Sequence, residues 1–261
     1  MDSSVDTVRI KKILFSQNPP TDFEKTPYAK IAKRYNVDID FFKFFQIEGL
    51  TVKSFLSRNI SILNHTAIIL TSKNAIDHFF RIINELKITL PITTKYFCVN
   101  DAIANYLRKY IVCRSRKTFY PKDGKQEKLV EEIINHSSDT FLLPSATDSS
   151  LNQLVDILDK QKINYTKADV FKIYFPNVSK EIDIYSYDMI VFFSPYGIQS
   201  LRNNYPDFKQ KNIVIGALGT RVVAAAQEAG LDVQIIAPTL EHPSIFSAID
   251  QYLQKTNGRK R

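Results

Sequence analysis

Short apolar runs alternate with amphipathic segments along the whole chain. Residues 67–70 and 189–193 are apolar throughout, and each is followed by a stretch with the apolar spacing of a helix. Such alternation favours α/β architecture with parallel sheets. The pattern predicts strands over 9–15, 67–70, 95–99, 140–143, 189–193, 212–215 and 233–236, and helices over 27–35, 73–86, 101–109, 125–135, 149–160, 195–203, 220–229 and 243–254.

The chain contains one pattern twice. Residues 68–79 and 190–201 each pass from an apolar run through a serine into an amphipathic segment. A second matching pair, residues 96–107 and 213–226, follows at nearly the same separation. Repeats of about 120 residues predict two similar domains.

Two long extended segments indicate where the domains meet in sequence. Residues 37–47 and 164–175 are too long and too mixed in polarity for single central strands. We therefore predict two similar parallel-sheet α/β domains joined by a two-stranded extended linker, with the second domain inserted in the first. The predicted bounds are 1–40 and 175–261 for domain 1, 48–163 for domain 2, and 41–47 and 164–174 for the linker strands.

The turns from strand to helix are the candidate sites for chemistry. Ser72 and Ser194 precede predicted helices, and Pro195 suits a first helical position, so both serines have the pattern of helix caps. A helix start at the carboxyl end of a parallel strand also presents free N–H groups and a positive dipole end, which bind carboxylate or phosphate. Gly219 and Thr220 form a similar turn. Capping alone explains the same residues, so both interpretations stay open.

Composition and charge limit the classes of partner that the protein is expected to bind. The net charge of +8 and the pI near 9.3 favour an anionic partner, although a general solubility bias explains them equally well. No nucleic-acid motif and no apolar run near the roughly 20 residues of a membrane helix occurs, so we expect neither nucleic acid nor membrane as partner. The sequence also lacks a glycine-rich phosphate loop, a nucleophile elbow and metal-ligand spacing among its four histidines.

The cysteines and the first residues indicate the cellular compartment in which we expect the protein. Cys98 and Cys113 lie in or beside apolar runs, which predicts two buried free thiols and fits a reducing cytoplasm. Residues 1–6 have no apolar run of the signal-peptide type, so we expect a cytoplasmic protein.

Four short motifs, in this order and spacing, resemble the uroporphyrinogen-III synthase family. They are residues 70–75 (Leu-Thr-Ser-Lys-Asn-Ala), 193–198 (Phe-Ser-Pro-Tyr-Gly-Ile), 219–230 and 237–240 (Ala-Pro-Thr-Leu). The resemblance spans nearly the whole chain. It implies a monomeric, cofactor-free and metal-free lyase of haem biosynthesis. Such an enzyme cyclises hydroxymethylbilane, a linear tetrapyrrole rich in carboxylates, to uroporphyrinogen III with inversion of the terminal pyrrole ring and release of water.

The resemblance and the turn argument together give the candidate substrate-binding residues. These are Thr71, Ser72, Asn74, Asn100, Ser194, Pro195, Tyr196, Gly197, Gly219 and Thr220.

The chain departs from the family pattern at positions that bear on catalysis. Phe171 stands where the family usually has a tyrosine, thought to assist departure of the hydroxyl, and Tyr174 follows on the opposite strand face. Ile103 and Val222 replace the threonines of the family's Gly-x-x-Thr turns. No catalytic residue is therefore assigned. An alternative function stays open: a two-lobed module that binds an anionic ligand without catalysis.

Overall fold

The computed structural model describes residues 9–123, 125–147 and 153–258. Packing divides the chain into two compact units. The described part of unit 1 comprises residues 9–46 and 175–258, and unit 2 is Ile47–Tyr174. Unit 2 therefore interrupts unit 1 in sequence.

Strands and helices alternate in both units. The strands are β1 Lys12–Phe15, β2 Asp38–Phe41, β3 Gln46–Gly49, β4 Ala67–Leu70, β5 Lys95–Cys98, β6 Thr118–Phe119, β7 Phe141–Ala146, β8 Tyr165–Tyr174, β9 Met189–Phe192, β10 Val214–Leu218 and β11 Ile235–Ala237. The helices are α1 Pro27–Tyr35, α2 Val52–Leu56, α3 Lys73–Glu85, α4 Asp101–Leu107, α5 Gln126–Asn135, α6 Gln153–Lys160, α7 Pro195–Asn204, α8 Thr220–Glu228 and α9 Ile245–Thr256.

Unit 1 contains a five-stranded parallel sheet in the order β11-β10-β9-β1-β2. The two separate parts of the sequence meet where β1 pairs with β9, with Ile13 opposite Met189. One hydrophobic core lies under α1 and α9, and a second lies under α7 and α8. Helices therefore cover both faces, which explains why strands such as β9 are buried and apolar along their whole length.

Unit 2 contains a six-stranded sheet in the order β3-β8-β7-β4-β5-β6, and its pairs from β8 to β6 are parallel. One core lies under α3 and α4, and another lies under α5 and α6. A bulge between Ser145 and Ala146 sets Ala146 opposite Phe171. Both units are thus parallel α/β sheets, which confirms the predicted fold class.

The extended segments differ from the predicted linkers. Residues 164–174 contain β8, which pairs with β7 along 165–171 and belongs to the sheet of unit 2. Its centre, Ala168–Phe171, is buried, and burial of the three apolar residues in this range accounts for the placement. The other segment is divided, because β2 joins the sheet of unit 1 and β3 joins that of unit 2. Of the predicted helix 149–160, residues 149–152 lie outside the described residues.

The two cysteines have different environments. Cys98 is fully buried at the end of β5, and burial raises the pKa of its thiol to about 12. Cys113 is only half-buried, because it lies in the loop after α4, so the prediction of two buried thiols was wrong for this residue. Both thiols are free. Within the described ranges, no helix is both long and apolar enough to cross a membrane.

Candidate functional site

The carboxyl ends of the strands form the edge where each unit turns from sheet to helix. In unit 1 the chain passes from β1 to β2 on one side of β1 and later to β9 on its other side. Ligand crevices in open α/β sheets lie at such a reversal of strand order, outside the carboxyl ends. We call this edge, with the helix starts that follow it, the rim of the unit.

Ser16 joins the two strand ends at this reversal. Its N–H donates to the Val191 carbonyl oxygen at 2.9 Å, and its Oγ accepts from the Phe193 N–H at 3.4 Å. A Cβ at Gly197 would lie 3.1 Å from the Phe192 ring and 3.4 Å from Ser16 Oγ, so glycine permits the close approach of α7. Sequence reasoning missed Ser16, although a serine directly after a buried strand is a usable signal.

The start of α7 is capped, as the sequence predicts, and its amides are largely occupied. Ser194 Oγ accepts from the Tyr196 N–H at 3.3 Å, and the Gly197 N–H donates to the Ser194 carbonyl oxygen at 3.0 Å. Pro195 has no N–H to offer. The Tyr196 ring packs near Phe45, with 5.6 Å between centroids. This turn therefore offers an anion fewer donors than the sequence suggests.

The start of α8 is more open to an anion. Gly219 has φ 94°, a conformation that favours glycine, and its N–H donates to the Ala237 carbonyl oxygen at 2.6 Å. Thr220 and Arg221 are exposed, and their amides have no acceptor among the described residues. The sequence of this first turn has no acid. The helix start therefore combines free amides, a hydroxyl and a guanidinium group, all of which attract anions.

In unit 2 the start of α3 is likewise open to an anion. Ser72 Oγ accepts from the Ala75 N–H at 3.1 Å, which confirms the predicted cap. The amides of Lys73 and Asn74 precede the first helical bond and have no acceptor in the described part of the chain. Thr71 is half-buried in front of them. With Lys73 in the first turn and no acid there, this start also favours an anion.

The start of α4 is less suited to an anion. Asn100 Oδ1 accepts from the Ile103 N–H at 3.0 Å, so the asparagine is the cap. The carboxylate of Asp101 lies in the first turn and accepts from Asn105 Nδ2 at 2.9 Å. This carboxylate already stabilises the positive end of the short helix, so a ligand anion would meet a like charge.

The apolar residues at the two expected threonine positions have a structural explanation. Ile103 and Val222 are buried, with 7% and 3% of their surface exposed. They pack in the cores of unit 2 and unit 1, respectively. A hydroxyl at either position would be buried away from the rim, so its absence removes no donor from the rim surface.

Phe171 and Tyr174 lie in different surroundings on β8. Phe171 is 6% exposed and packs in the core that α3 covers. Its ring stacks on that of His78, with 5.5 Å between centroids. Tyr174 is the last residue of the strand and is 52% exposed. Phe171, which the sequence resemblance sets against a tyrosine, is thus a core residue without a hydroxyl.

His78 is a second residue that sequence reasoning passed over. A Cβ at Gly49 would lie 2.7 Å from its Nδ1, so β3 passes close to the imidazole. Burial, and to a lesser degree the charge of Arg81, lowers the pKa of His78 despite the opposing effect of Asp77. The His78 ring packs on Phe171 from the α3 side. Nothing in the spacing of the four histidines distinguishes this one.

We expect unit 2 to lose stability with acid through His78. The folded pKa lies below the unfolded value of about 6.5, so the unfolded state binds the proton more readily and stability falls as the pH drops from neutral. His78→Phe keeps a stacked ring that does not titrate. Urea unfolding between pH 7.5 and 5 should show a shallower decline for this variant than for the unmodified protein, and equal slopes would contradict the assignment.

Among the described residues, no group of three or more His, Cys, Asp and Glu side chains is arranged to hold a metal ion. The arrangement defines a class: a protein of two parallel α/β units, one interrupting the other in sequence, each with a helix start open to anions on its rim.

Comparison with known proteins agrees with this class. Residues 28–247 match the family described as Uroporphyrinogen-III synthase HemD. A uroporphyrinogen III synthase from the thermophilic bacterium Thermus thermophilus is similar in structure, with a TM-score of 0.64 and 12% identity, covering 94% of this chain and 99% of that one. Uroporphyrinogen-III synthetase from Helicobacter pylori is also similar, with a TM-score of 0.55 and 14% identity, covering 94% of this chain and 100% of that one. No curated protein matches the chain in sequence.

The chain belongs to the uroporphyrinogen-III synthase family, because the match covers most of its length. This membership, which the sequence motifs predict, makes it an enzyme of porphyrin biosynthesis.

Proposed function

We propose that this protein is a uroporphyrinogen-III synthase, a lyase that cyclises hydroxymethylbilane to uroporphyrinogen III and releases water without a cofactor. The family match over residues 28–247 carries the proposal, since it includes the helix starts on the rims of both units. We further propose that the enzyme acts as a monomer in the cytoplasm.

The substrate's carboxylates fit the chemistry of the rims. Free amides at the starts of α3 and α8 donate to carboxylate oxygens, and Lys73 and Arg221 add positive charge. These donors are fixed by the helices, so little reorganisation is needed when the anion binds. The candidate residues Asn74 and Thr220 lie in the same first turns. Of the other candidates, Ser72 caps α3, Asn100 caps α4 and Ser194 caps α7, so the side-chain oxygen of each already accepts from a backbone N–H.

The reaction asks for positioning more than for strong acid or base. The hydroxyl of the substrate's terminal methylene takes up a proton and leaves as water, and the ring with its remaining methylene is a reactive azafulvenium cation. The terminal pyrrole at the other end attacks it through the carbon that already carries the chain, which gives a spiro intermediate. The older bond at that carbon then breaks and forms again at the ring's other α-carbon, which lies across the ring nitrogen and loses its proton. Holding the chain so that the free carbon does not attack first accounts for the inverted product.

One observation favours the alternative of a binding module. Phe171 has no hydroxyl and lies in a core, so the group thought to assist departure of the substrate's hydroxyl in the family is missing at this position. A module of this kind would bind the tetrapyrrole and leave it unconverted.

Product analysis separates the two functions. Freshly prepared hydroxymethylbilane is incubated with the protein, and the type I and type III products are separated after oxidation. A synthase gives mostly the type III isomer at a rate proportional to enzyme concentration. Type I product alone, formed at the rate of a protein-free control, would reject the synthase and leave the binding module. Titration with the same substrate then measures whether binding persists.

A further inference from the structure

A cavity of about 470 Å³ lies in unit 2 near the amino end of β5, away from the rim. Its walls are mostly apolar and include Tyr96, Leu90 and Ile83. The Phe80 and Tyr110 rings form a stacked pair in the wall, with 4.6 Å between centroids. Tyr110 is held in place because its hydroxyl donates to Asp77 Oδ1 at 2.6 Å. The volume and the apolar lining of the cavity are those of a small-molecule site.

The charge at the cavity is of one sign. Arg114 and Lys117 line it, and no Asp or Glu does so among the described residues. Lys117 Nζ donates to the Ile92 carbonyl oxygen, and neither cation forms an ion pair within the described ranges. Cations beside an apolar cavity are complementary to a molecule with an apolar body and one anionic group.

Two buried hydroxyls in the wall are also unsatisfied. Thr94 and Thr118 line the cavity and are 3% and 9% exposed. Neither Oγ1 has a hydrogen-bond partner in the described part of the protein. Buried polar side chains normally have partners, and a buried unsatisfied hydroxyl is destabilising. The two hydroxyls therefore lack a hydrogen-bond acceptor among the described residues, and the carboxylate of a bound ligand would supply one.

We propose that this cavity is a second ligand site, separate from the rims, for a small amphipathic carboxylate such as a medium-chain fatty acid. The carboxylate pairs with Arg114 and Lys117, and the hydrocarbon body enters between the Phe80–Tyr110 pair and Leu90. The exposed Ile92, with 71% of its surface accessible, becomes covered by the bound chain.

Calorimetric titration with sodium decanoate below its micelle concentration tests the proposal. We expect saturable binding by the unmodified protein, and weaker binding of 1-decanol, which has the same chain without the charge. The double variant Arg114→Met and Lys117→Met should weaken decanoate binding by about fivefold or more, since each partly exposed ion pair contributes modestly. Arg116→Met removes an exposed charge from the same loop that does not line the cavity, and should leave the affinity unchanged.

A further control distinguishes this site from the rims. Gly219→Ala alters the start of α8 in unit 1 and should not affect decanoate binding. An equal loss in this variant would mean that the carboxylate binds at the rim and would overturn the proposal. Absence of binding to the unmodified protein, equal losses for Arg116→Met and the double variant, or equal affinity for decanol would also overturn it. A failure of the synthase assay leaves these results unaffected, so the two proposals stand or fall separately.

Discussion

Phe15→Ala will destabilise unit 1 by about 3–5 kcal/mol, the range found for truncation of a buried phenylalanine. Phe15 is fully buried at the end of β1. Its ring lies edge-on to Tyr28 at 4.7 Å and near Phe41 and Phe193 at 5.8 and 6.2 Å. The loss is a large part of the roughly 5–15 kcal/mol that typically stabilises a folded protein. Guanidinium unfolding of the variant should therefore show its main transition at a clearly lower denaturant concentration.

The unfolding experiment needs a separate probe for each unit, because a protein of two units does not have to unfold in one step. Hydrogen exchange of amides in β1 and β9 reports on unit 1, and exchange in β4 and β5 reports on unit 2. Phe23→Ala is the matched control, since this half-buried ring meets Phe41 edge-on but lies outside the strands. It should have less than half the effect. Equal destabilisation by the two variants would contradict the role of Phe15.

Gly219→Ala will lower turnover of hydroxymethylbilane by about ten- to a hundredfold, given the proposed function. The residue has φ 94°, where a side chain is strained by about 1–3 kcal/mol. Apart from Gly219 and its two chain neighbours, no heavy atom of the described residues lies within 4 Å of the position of an added Cβ, so the effect comes from the backbone alone. Relaxation of this strain moves the amides of Thr220 and Arg221, and displacements of about 1 Å at a binding site reduce rates to this extent.

Gly230→Ala is the control for backbone strain at the other end of the same helix. Gly230 has φ 71°, and its N–H and that of Leu231 close α8 by bonding to Gln227 and Ala226. This variant should lose stability while keeping its turnover per folded molecule. Steady-state kinetics and denaturant unfolding of both variants give the answer. If turnover falls equally in both, the start of α8 has no special part in the reaction.

Local pattern was sufficient to predict most of the elements. The strand Ala67–Leu70 and the helix Pro27–Tyr35 have the predicted bounds, because a fully apolar run and a proline at a helix start are strong local signals. Strand β7 runs past its predicted end at residue 143. Pro144 suggests a strand end, but it lies beyond Leu142, the last residue that pairs with β4, so its missing donor is tolerated there.

The candidate site was harder to predict than the fold. The caps at Ser72 and Ser194 follow from residue type and position alone. The importance of Ser16 depends on the pairing of β1 with β9, and that of His78 depends on its stacking on Phe171 from β8. Contacts between such distant positions leave no periodic signal in a single sequence. Whether the amides at a helix start have acceptors depends likewise on the neighbouring backbone. The sequence alone therefore does not tell whether the start of α7 or that of α8 is more open to an anion.

The pairing of β1 with β9 has a consequence for biogenesis. The Lys12 N–H donates to the Asp188 carboxylate across 176 positions of sequence. During translation, β1 and β2 emerge from the ribosome long before the chain that completes their sheet has been made. Unit 2 is continuous in sequence and can collapse in the meantime, which reverses the usual order in which the N-terminal domain folds first. Until β9 has been made, the edge of β1 that pairs with it has no partner strand, and unpaired strand edges are prone to aggregation.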